Sequence, residues 1–593
     1  MLRSAAPAMT IALFLSLGAA LIAEDAAPPA EPVLQPAVHR DDAVEPVDDV
    51  DAEPDQTAGT LVLELAGTFP LRPAPAFFAA GEVSLHAACL QLRQALAAPE
   101  KHLVLDLAGG FYPSLAGAEE MAAILRDRGE GRTVACLLDG IDDAALAVAA
   151  ACDEVVAPEA GLLLVDGIEL SVDYYADALA KLGVRFAAVT SGPHKTAPEP
   201  FTRNRPSDAG AAELAELATA LDDALLACSA RGPLDVARIR AARALAPQPG
   251  ASAQALGLID RAVEPGAWLD GLAQPARWFD AEGEQPDAST FAGMMELWGR
   301  LLQGEKRTRH PRVVAVVELE GEIVDDSASE PGSTIAGFDT AAMIDDLADD
   351  ERVVAVVVRV NSGGGSATAS DRIHHAIRRL DAVKPVIALL DEVAASGGYY
   401  LACAARRVIA HRGTLTGSIG VFALAPDLTG TRDLMGIHRH VVTTGPRADL
   451  LSTGAMTPDK EAALRQIVDD TDVRFRALVG ARRTLADDRV RELAGGRVFT
   501  GQQALDNGLI DELGTLTDAV VAARAAAGVE DKLPLETHPV DSGLAGRFAL
   551  FGARSAAHVA ERLCYPAAWR TALRAIDARR PVIMAWSGVG AAR

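Results

Sequence analysis

The chain carries one pattern of apolar, strand-like segments twice, and this repetition limits its possible folds more than any single motif. The segments are TLVLEL (60–65), HLVLDL (102–107), RTVACLL (132–138) and VRFAAV (184–189), then VVAVVEL (313–319), RVVAVVVRV (352–360), KPVIALL (384–390) and HRHVVTT (438–444). Ala/Leu-rich stretches of helical length separate them. Strands of this composition alternating with helices are typical of a parallel sheet covered on both faces. The pattern therefore predicts an α/β fold with mostly parallel sheets flanked by helices.

Local matches align the two copies of this pattern at an offset of about 253 residues. They are called the first copy and the second copy below. Leu-Val-Leu-Asp-Leu-Ala-Gly-Gly110 parallels Val-Val-Arg-Val-Asn-Ser-Gly-Gly364, and Thr190-Ser-Gly-Pro-His parallels Thr443-Thr-Gly-Pro-Arg. A repeat of this length predicts tandem duplication of a whole domain rather than a solenoid. We therefore expect an N-terminal domain, a linker, a C-terminal domain and a tail, over residues 59–280, 281–311, 312–536 and 537–593.

The start of the chain predicts an exported protein. Arg3 precedes an apolar run from Ala8 to Ala23, so residues 1–23 are interpreted as a signal peptide or membrane anchor. Residues 24–58 are rich in Pro, Ala, Asp and Glu and are expected to form a disordered acidic tether. The bulk of the protein would then lie outside the cytoplasm, at the membrane or in the periplasm.

Composition excludes some functions. The formal net charge is -27 and no basic stretch is long enough for a nucleic-acid footprint, so no nucleic-acid partner is expected. The six cysteines have neither CxxC nor metal-ligand spacing, and we expect them to be buried thiols.

A Gly-rich turn, Asn361-Ser-Gly-Gly-Gly-Ser366, follows the strand-like segment RVVAVVVRV of the second copy. Backbone N–H groups in such a turn can face an oxyanion at the carboxyl end of a parallel strand. A phosphate loop is a rival interpretation, but neither GxxxxGK[ST] nor GxGxxG is present. A tight strand-to-helix turn without chemistry is the other alternative.

Ser396 follows the next strand, KPVIALL, and is itself followed by Gly397 and Gly398. A serine at the start of a helix is usually only a cap. The Gly-rich turn one strand away favours a nucleophile instead, with the Gly397 N–H pointing at the anion that forms beside its hydroxyl.

A serine nucleophile needs a base. His374 and His375 lie off the apolar stripe of their helix and are expected to be solvated. Lys195 lies in the Pro-rich apolar loop 192–201, where burial would lower its pKa towards neutrality and let it accept a proton, although a lone loop lysine is normally solvated.

Each copy of the pattern lacks one residue of this serine and lysine pair. The first has no Ser-Gly-Gly around 139–144, and the second has no lysine around 447–448. This complementary loss predicts one composite site. The first copy would supply the base and the second copy the serine.

These motifs resemble signal peptide peptidase A in its long, duplicated form, a family of membrane-associated Ser/Lys proteases. The resemblance covers the Lys195 loop, 361–366, 394–399, Leu415-Thr-Gly-Ser-Ile-Gly-Val421 and Gly496-Arg-Val-Phe-Thr-Gly with its sequel to Asp511, most of roughly 60–530. It implies two tandem Clp/crotonase-like domains, each a mostly parallel sheet flanked by helices, in a ring-like homo-oligomer, by resemblance a tetramer.

The resemblance also implies residue roles. Ser396 would be the nucleophile and Lys195 the general base, while the amides of Gly365 and Gly397 would form the oxyanion hole. Ser418 would help to hold the lysine amine, and no metal or cofactor is implied. Gly363 replaces the usual proline of the turn, and His194 and Thr196 replace the usual Tyr and Ser beside the lysine, but no catalytic group is lost.

The family's substrates are signal peptides left in the membrane after preprotein cleavage, so peptide substrates and a membrane location are expected. One alternative is a catalytically inactive scaffold or peptide-binding protein of the same fold. Another is an acyl-CoA-handling enzyme of the crotonase class, which shares the Gly-rich turn without a serine nucleophile. Export and the Ser/Lys pair disfavour the second alternative.

Overall fold

The computed structural model describes residues 59–539, except for 72–82, 233, 273–275, 280–309, 326–333, 442–446 and 448. All of the described residues lie in one compact unit. The expected signal peptide or anchor, the tether, almost all of the linker and the tail from residue 540 lie outside them. The domain boundaries therefore stay predictions. Below, residues 59–279 are called the first half and residues 310–539 the second half.

The first half is organised around a parallel sheet. Its strands are β1 (Thr60–Glu64), β2 (Gly67–Thr68), β3 (His102–Asp106), β4 (Phe111–Tyr112), β5 (Thr133–Leu137), β6 (Ile141–Asp142), β7 (Glu154–Ala157), β8 (Leu162–Leu164), β9 (Arg185–Thr190), β10 (Gln248–Pro249), β11 (Arg261–Ala262) and β12 (Ala276–Trp278). Six of them pair side by side, all parallel, in the order β11-β7-β5-β3-β1-β12. The Leu and Val side chains of β1 and β3 are buried in succession, because both faces of the sheet are covered.

The second half is built around a sheet of the same kind. Its strands are β13 (Val313–Glu320), β14 (Glu322–Val324), β15 (Thr334–Ala336), β16 (Val353–Ser362), β17 (Val386–Ala395), β18 (Arg407–Ala410), β19 (Leu415–Gly417), β20 (Phe422–Asp427), β21 (Val498–Thr500), β22 (Glu512–Leu513) and β23 (Leu535–His538). The order β23-β13-β16-β17-β18-β22 is parallel throughout. The far end of β17 pairs with β19, which pairs antiparallel with β21.

The α/β fold with mostly parallel sheets flanked by helices is thus confirmed. The strand order of the second sheet matches that of the first, rank by rank along the chain. Such a match is what a duplication would produce, and the duplication itself stays a prediction.

Two predicted strands behave differently. β9 does not join the first sheet but pairs antiparallel with β20 of the second half, from Arg185 opposite Asp427 to Thr190 opposite Phe422. In the predicted strand 438–444, residues 438–441 are exposed and form no strand, and the remainder lies outside the described residues. Three basic residues occupy the first three positions of that segment, which leaves little apolar surface to bury.

Helices cover the sheets. Those of the first half are α1 (Leu85–Ala97), α2 (Leu115–Arg126), α3 (Asp143–Ala149), α4 (Ala176–Lys181), α5 (Glu199–Thr202), α6 (Asp208–Ser229), α7 (Val236–Arg243), α8 (Gly250–Leu256) and α9 (Pro265–Asp270). Those of the second half are α10 (Gly337–Asp349), α11 (Ala367–Val383), α12 (Gly397–Ala402), α13 (Thr429–Leu434), α14 (Pro458–Arg483), α15 (Asp487–Leu493), α16 (Gly501–Asp506) and α17 (Leu516–Ala526). Within the described ranges, no helix is both long enough and apolar enough to span a bilayer.

The helix α11 shows how the pattern places side chains. Ser366 caps its first turn through the Ala369 N–H, and Ile373 and Ile377 point into the core. The expectation that His374 is solvated is wrong, because Tyr400 of α12 covers that side of the helix and its carbonyl oxygen lies 3.0 Å from His374 Nδ1. His375 is exposed, as expected.

Cys89, Cys136, Cys152, Cys228 and Cys403 are buried free thiols, as the sequence predicts, and Cys564 lies outside the described residues.

Candidate active site

Lys195 and Ser396 come together where the two halves meet. The Lys195 amine lies 3.1 Å from Ser396 Oγ, although 201 positions separate the two residues in sequence. Both side chains are almost fully buried, with 3% of Lys195 and 8% of Ser396 exposed. The composite site predicted from the sequence therefore has the geometry that a base and its nucleophile need.

Ser396 occupies a strained turn between β17 and α12. Its φ of 53° and ψ of -116° lie where few residues other than glycine are found, a conformation that costs on the order of 1–3 kcal/mol. Its N–H donates to the Gly417 carbonyl oxygen at 2.9 Å, and its hydroxyl caps no N–H of α12. The hydroxyl is thereby left free to face Lys195, so Ser396 is not a capping serine.

Close backbone packing fixes this turn. A Cβ atom on Gly398 would lie 2.5 Å from the Ser362 carbonyl oxygen, so only glycine fits there without a shift. Ser362 in turn accepts the Gly364 N–H through its hydroxyl and donates to the Gly321 carbonyl oxygen. The Ser396 turn and the Gly-rich turn therefore support each other.

The loop that carries Lys195 leaves β9 and lies against the second half. The His194 N–H donates to the Gly495 carbonyl oxygen at 3.1 Å. A Cβ atom on Gly496 would come within 2.5 Å of Lys195 Cα, and one on Gly192 within 2.4 Å of Gly495 Cα. Gly495 and Gly496 thus let the two chain segments approach closely enough for Lys195 to reach Ser396.

Ser418 completes the surroundings of the amine. The Lys195 amine donates to Ser418 Oγ at 2.9 Å and to the Ser418 carbonyl oxygen at 3.0 Å. Ser418 has a φ of 50°, and its N–H donates to the Arg497 carbonyl oxygen at 2.7 Å. Ser418 therefore lies where the family resemblance expects a residue that orients the lysine.

Burial lowers the pKa of Lys195 from 10.5 to about 7, because a buried ammonium loses its hydration. The carboxylates of Asp472 on α14 and Glu213 on α6 oppose this shift. Burial also raises the pKa of Glu213 to about 7, although its carboxylate accepts the Val498 N–H at 2.7 Å. At neutral pH a large share of Lys195 is therefore neutral and can accept a proton.

Gly365 and Gly397 lie next to each other beside Ser396. A Cβ atom on Gly397 would be 3.2 Å from the Gly365 nitrogen and 2.6 Å from Ser370 Oγ. Gly365 has a φ of 153°, and a Cβ there would lie only 2.0 Å from the Ile323 carbonyl oxygen. Among the described residues, neither amide N–H has a hydrogen-bond acceptor. Two such donors, side by side, suit a developing oxyanion.

All five residues expected at the site are thus brought together, and their catalytic roles remain proposals. Sequence reasoning missed Glu213, Asp472 and the pair Gly495 and Gly496. A signal for Glu213 was present, since it falls with Gly210, Leu217 and Leu221 on the buried stripe of α6. In the described part of the chain, no group of three or more His, Cys, Asp or Glu side chains could hold a metal ion.

The chain matches known proteases. The model of the family described as Peptidase family S49 matches residues 378–530. Protease 4 of Haemophilus influenzae is 32% identical over 442 residues, which cover 71% of this chain and 69% of that protein. The chloroplastic serine protease SPPA of Arabidopsis thaliana is 34% identical over 220 residues, 36% of this chain and 32% of that protein.

Two further matches cover shorter parts. A relative from Enterococcus faecium whose name describes a signal peptide peptidase is 30% identical over 203 residues, 34% of this chain and 58% of that protein. The solved structure of a ClpP1 mutant from Listeria monocytogenes covers 35% of this chain and 94% of its own, with 15% identity and a TM-score of 0.24. The long match to Protease 4, together with the family model, shows that the chain belongs to peptidase family S49 and is a serine protease of the signal peptide peptidase A type.

Proposed function

We propose that this serine protease uses Ser396 as its nucleophile and Lys195 as its general base, and that it cleaves signal peptides and similar peptides at the membrane. The contact of 3.1 Å between the Lys195 amine and Ser396 Oγ is the observation that carries the proposal. A buried lysine that donates to three oxygens and has a pKa of about 7 is poorly explained by a structural role alone.

The geometry supports acyl transfer in two steps. Neutral Lys195 takes the proton from Ser396 Oγ as that oxygen attacks the peptide carbonyl carbon, and the N–H groups of Gly365 and Gly397 bind the resulting oxyanion. The Lys195 ammonium then gives its proton to the leaving amine as the C–N bond breaks. In the second step Lys195 takes a proton from the water that attacks the ester carbonyl carbon, and its ammonium returns that proton to Ser396 Oγ as the bond from Oγ to the acyl carbon breaks.

The charge state of Lys195 sets the pH dependence. With a pKa of about 7, about 90% of Lys195 is neutral at pH 8, against about 0.3% for a lysine at 10.5. Because the neutral form is the base, activity should rise as pH increases through 7.

Support for the substrate and the location comes from outside the site. The apolar run from Ala8 to Ala23 is typical of an export signal or anchor, and the Enterococcus faecium relative is named a signal peptide peptidase. Peptides in or near a membrane are therefore the proposed substrates, and a homo-oligomer is proposed from the family resemblance alone.

Covalent labelling tests the proposal. A fluorophosphonate, which bonds to an activated serine hydroxyl, should label the wild type at a rate that rises through pH 7. Ser396→Ala and Lys195→Met should each abolish labelling and leave a synthetic signal peptide intact. Lys195→Met should be no less stable than the wild type, because burial disfavours the ammonium that it removes.

Exposed residues of the same types provide matched controls. Lys181→Ala and Ser171→Ala should label like the wild type, since both side chains are exposed. Full labelling of Lys195→Met, or a labelling rate that is flat from pH 5 to 9, would contradict a lysine base. A wild type that neither labels nor cleaves would favour the inactive scaffold of the same fold.

A further inference from the structure

Glu213 is a buried acid from the first half that lies against the catalytic turn of the second half. It belongs to α6, and 8% of the residue is exposed. Its Oε1 accepts the Val498 N–H at 2.7 Å, a hydrogen bond that joins the two halves. Burial of a carboxylate lowers the stability of the folded protein unless the carboxylate is paired or hydrogen-bonded, so its presence here suggests a function.

The strand that Glu213 holds is connected to Ser396 and to Ser418, the residue that contacts the Lys195 amine. Val498 pairs with Gly417 across β19 and β21, and the Gly417 carbonyl oxygen accepts the Ser396 N–H. The preceding residue, Arg497, accepts the Ser418 N–H through its carbonyl oxygen. Glu213 therefore binds the strand segment Arg497–Val498. This segment contacts the Ser418 turn directly and the Ser396 turn through Gly417.

Glu213 also acts on Lys195 through its charge, and it shares this action with Asp472. Asp472 lies on α14, where its Oδ2 accepts from Arg476 at 2.7 Å. Arg497 lowers the pKa of Glu213, whereas Glu216 raises it, but burial is the largest influence and the net pKa is about 7. The charged groups around the pair are thus Asp472 with Arg476, and Arg497 with Glu216.

We propose that Glu213 is a positioning residue of the catalytic pair, which holds the strand behind Ser396 and Ser418 and stabilises the ammonium that Lys195 forms during acylation. The inference rests on the proposed function, because it requires Lys195 to act as the base. In this proposal the first half contributes to the site through two elements, the loop that carries Lys195 and the helix α6 that carries Glu213.

Glu213→Gln separates charge from shape. The glutamine oxygen can still accept the Val498 N–H, so the strand is retained while the negative charge is lost. Without that charge the ammonium form of Lys195 is less stable, so the pKa of Lys195 falls. Because Glu213 itself has a pKa of about 7, it carries its charge over only part of this range, and the acid limb of fluorophosphonate labelling should move to lower pH by about half a unit. The maximal rate should fall about threefold, because the base is weaker.

Glu216→Gln is the matched control, since Glu216 is one turn further along α6, half exposed, and paired with Arg497 at 2.9 Å. Its labelling profile should follow that of the wild type, because an exposed charge is screened. Glu213→Ala should label more slowly at every pH, since it loses the Val498 hydrogen bond as well.

A second readout does not depend on activity. The chain has seven lysines, so lysine-selective ¹³C labelling gives a sparse NMR spectrum in which Lys195→Met identifies the Lys195 signal. In the Ser396→Ala background, Glu213→Gln should lower the midpoint of the Lys195 titration. An unchanged midpoint together with an unchanged labelling limb would overturn the role of Glu213. A lowered midpoint, together with a wild-type protein that does not label, would support the coupling and refute the dyad instead.

Discussion

Replacement of Arg359 by methionine should strongly destabilise the protein, because Arg359 is the cation of a buried cluster that joins the halves. Its side chain is 1% exposed, and its Nε donates to Asp391 Oδ2 at 2.8 Å. Glu120, from α2 of the first half, lies 3.6 Å from its guanidinium. The carboxylate of Asp391 is 2% exposed, and its Oδ1 has no hydrogen-bond partner among the described residues.

The expected loss in the free energy of unfolding follows from the carboxylates that remain buried after the arginine is removed. In Arg359→Met, Asp391 Oδ2 loses the hydrogen bond that the Arg359 Nε–H donates, and the Glu120 charge loses the nearby guanidinium. Breaking a buried pair by removal of one partner costs about 3–5 kcal/mol, most of it the penalty of the uncompensated charge. Glu120 retains one hydrogen bond, since its Oε1 accepts the Leu516 N–H at 2.9 Å.

Urea unfolding followed by far-ultraviolet circular dichroism measures this loss. Arg379→Met is the matched control, because Arg379 and its partner Asp345 are 57% and 46% exposed and such a pair contributes less than about 1 kcal/mol. The double variant Arg359→Met with Asp391→Leu should lose less than the two single variants together, because it removes both charges. A loss below about 1 kcal/mol in Arg359→Met would refute the reasoning.

Two further predictions concern the site. Ser418→Ala removes one of three acceptors around the Lys195 amine and should slow fluorophosphonate labelling about tenfold, the equivalent of one hydrogen bond of about 1.4 kcal/mol; an unchanged rate would contradict an orienting role for Ser418. Because Lys195 contacts Ser396 within one chain, a mixture of Ser396→Ala and Lys195→Met proteins, unfolded and refolded together, should show no labelling. Recovery of a substantial fraction of the wild-type signal would show that the pair forms between chains.

The fold class could be predicted because central strands of both sheets, such as β1, β3, β13 and β16, are nearly continuous runs of Val, Leu and Ala. The segment RVVAVVVRV and the observed β16 (Val353–Ser362) agree within a few residues, since such a run can be buried on both faces only in a covered sheet. The pairing of β9 with β20 could not be predicted, because a strand's composition shows that it pairs but not with which partner. His374 was misplaced for a related reason: the periodicity of one helix does not report a second helix that covers its other side.

The residues expected at the site could be found because glycine and serine motifs report local backbone geometry. The turn at Ser396 and the Gly-rich turn are both compact segments whose shape depends on their own glycines. Glu213 escaped notice because its importance arises from a contact over 285 sequence positions with Val498. Local motifs thus point to the groups proposed to react, whereas the groups proposed to tune them are defined by tertiary contacts.

The lowered pKa of Lys195 explains why the two halves must be joined for the site to exist. A shift from 10.5 to about 7 corresponds to about 5 kcal/mol of unfavourable burial, which applies fully below pH 7 and vanishes as pH rises through 10.5. Contacts between the halves offset this cost: the six-residue ladder of β9 with β20, the bond from Val498 to Glu213, and the N–H groups of Arg412 and Gly413 on Glu119. In the proposed mechanism, the first half alone would leave Lys195 solvated, and the second half alone would leave Ser396 without its proposed base. The proposed reactivity of the pair is therefore a property of the interface rather than of either half.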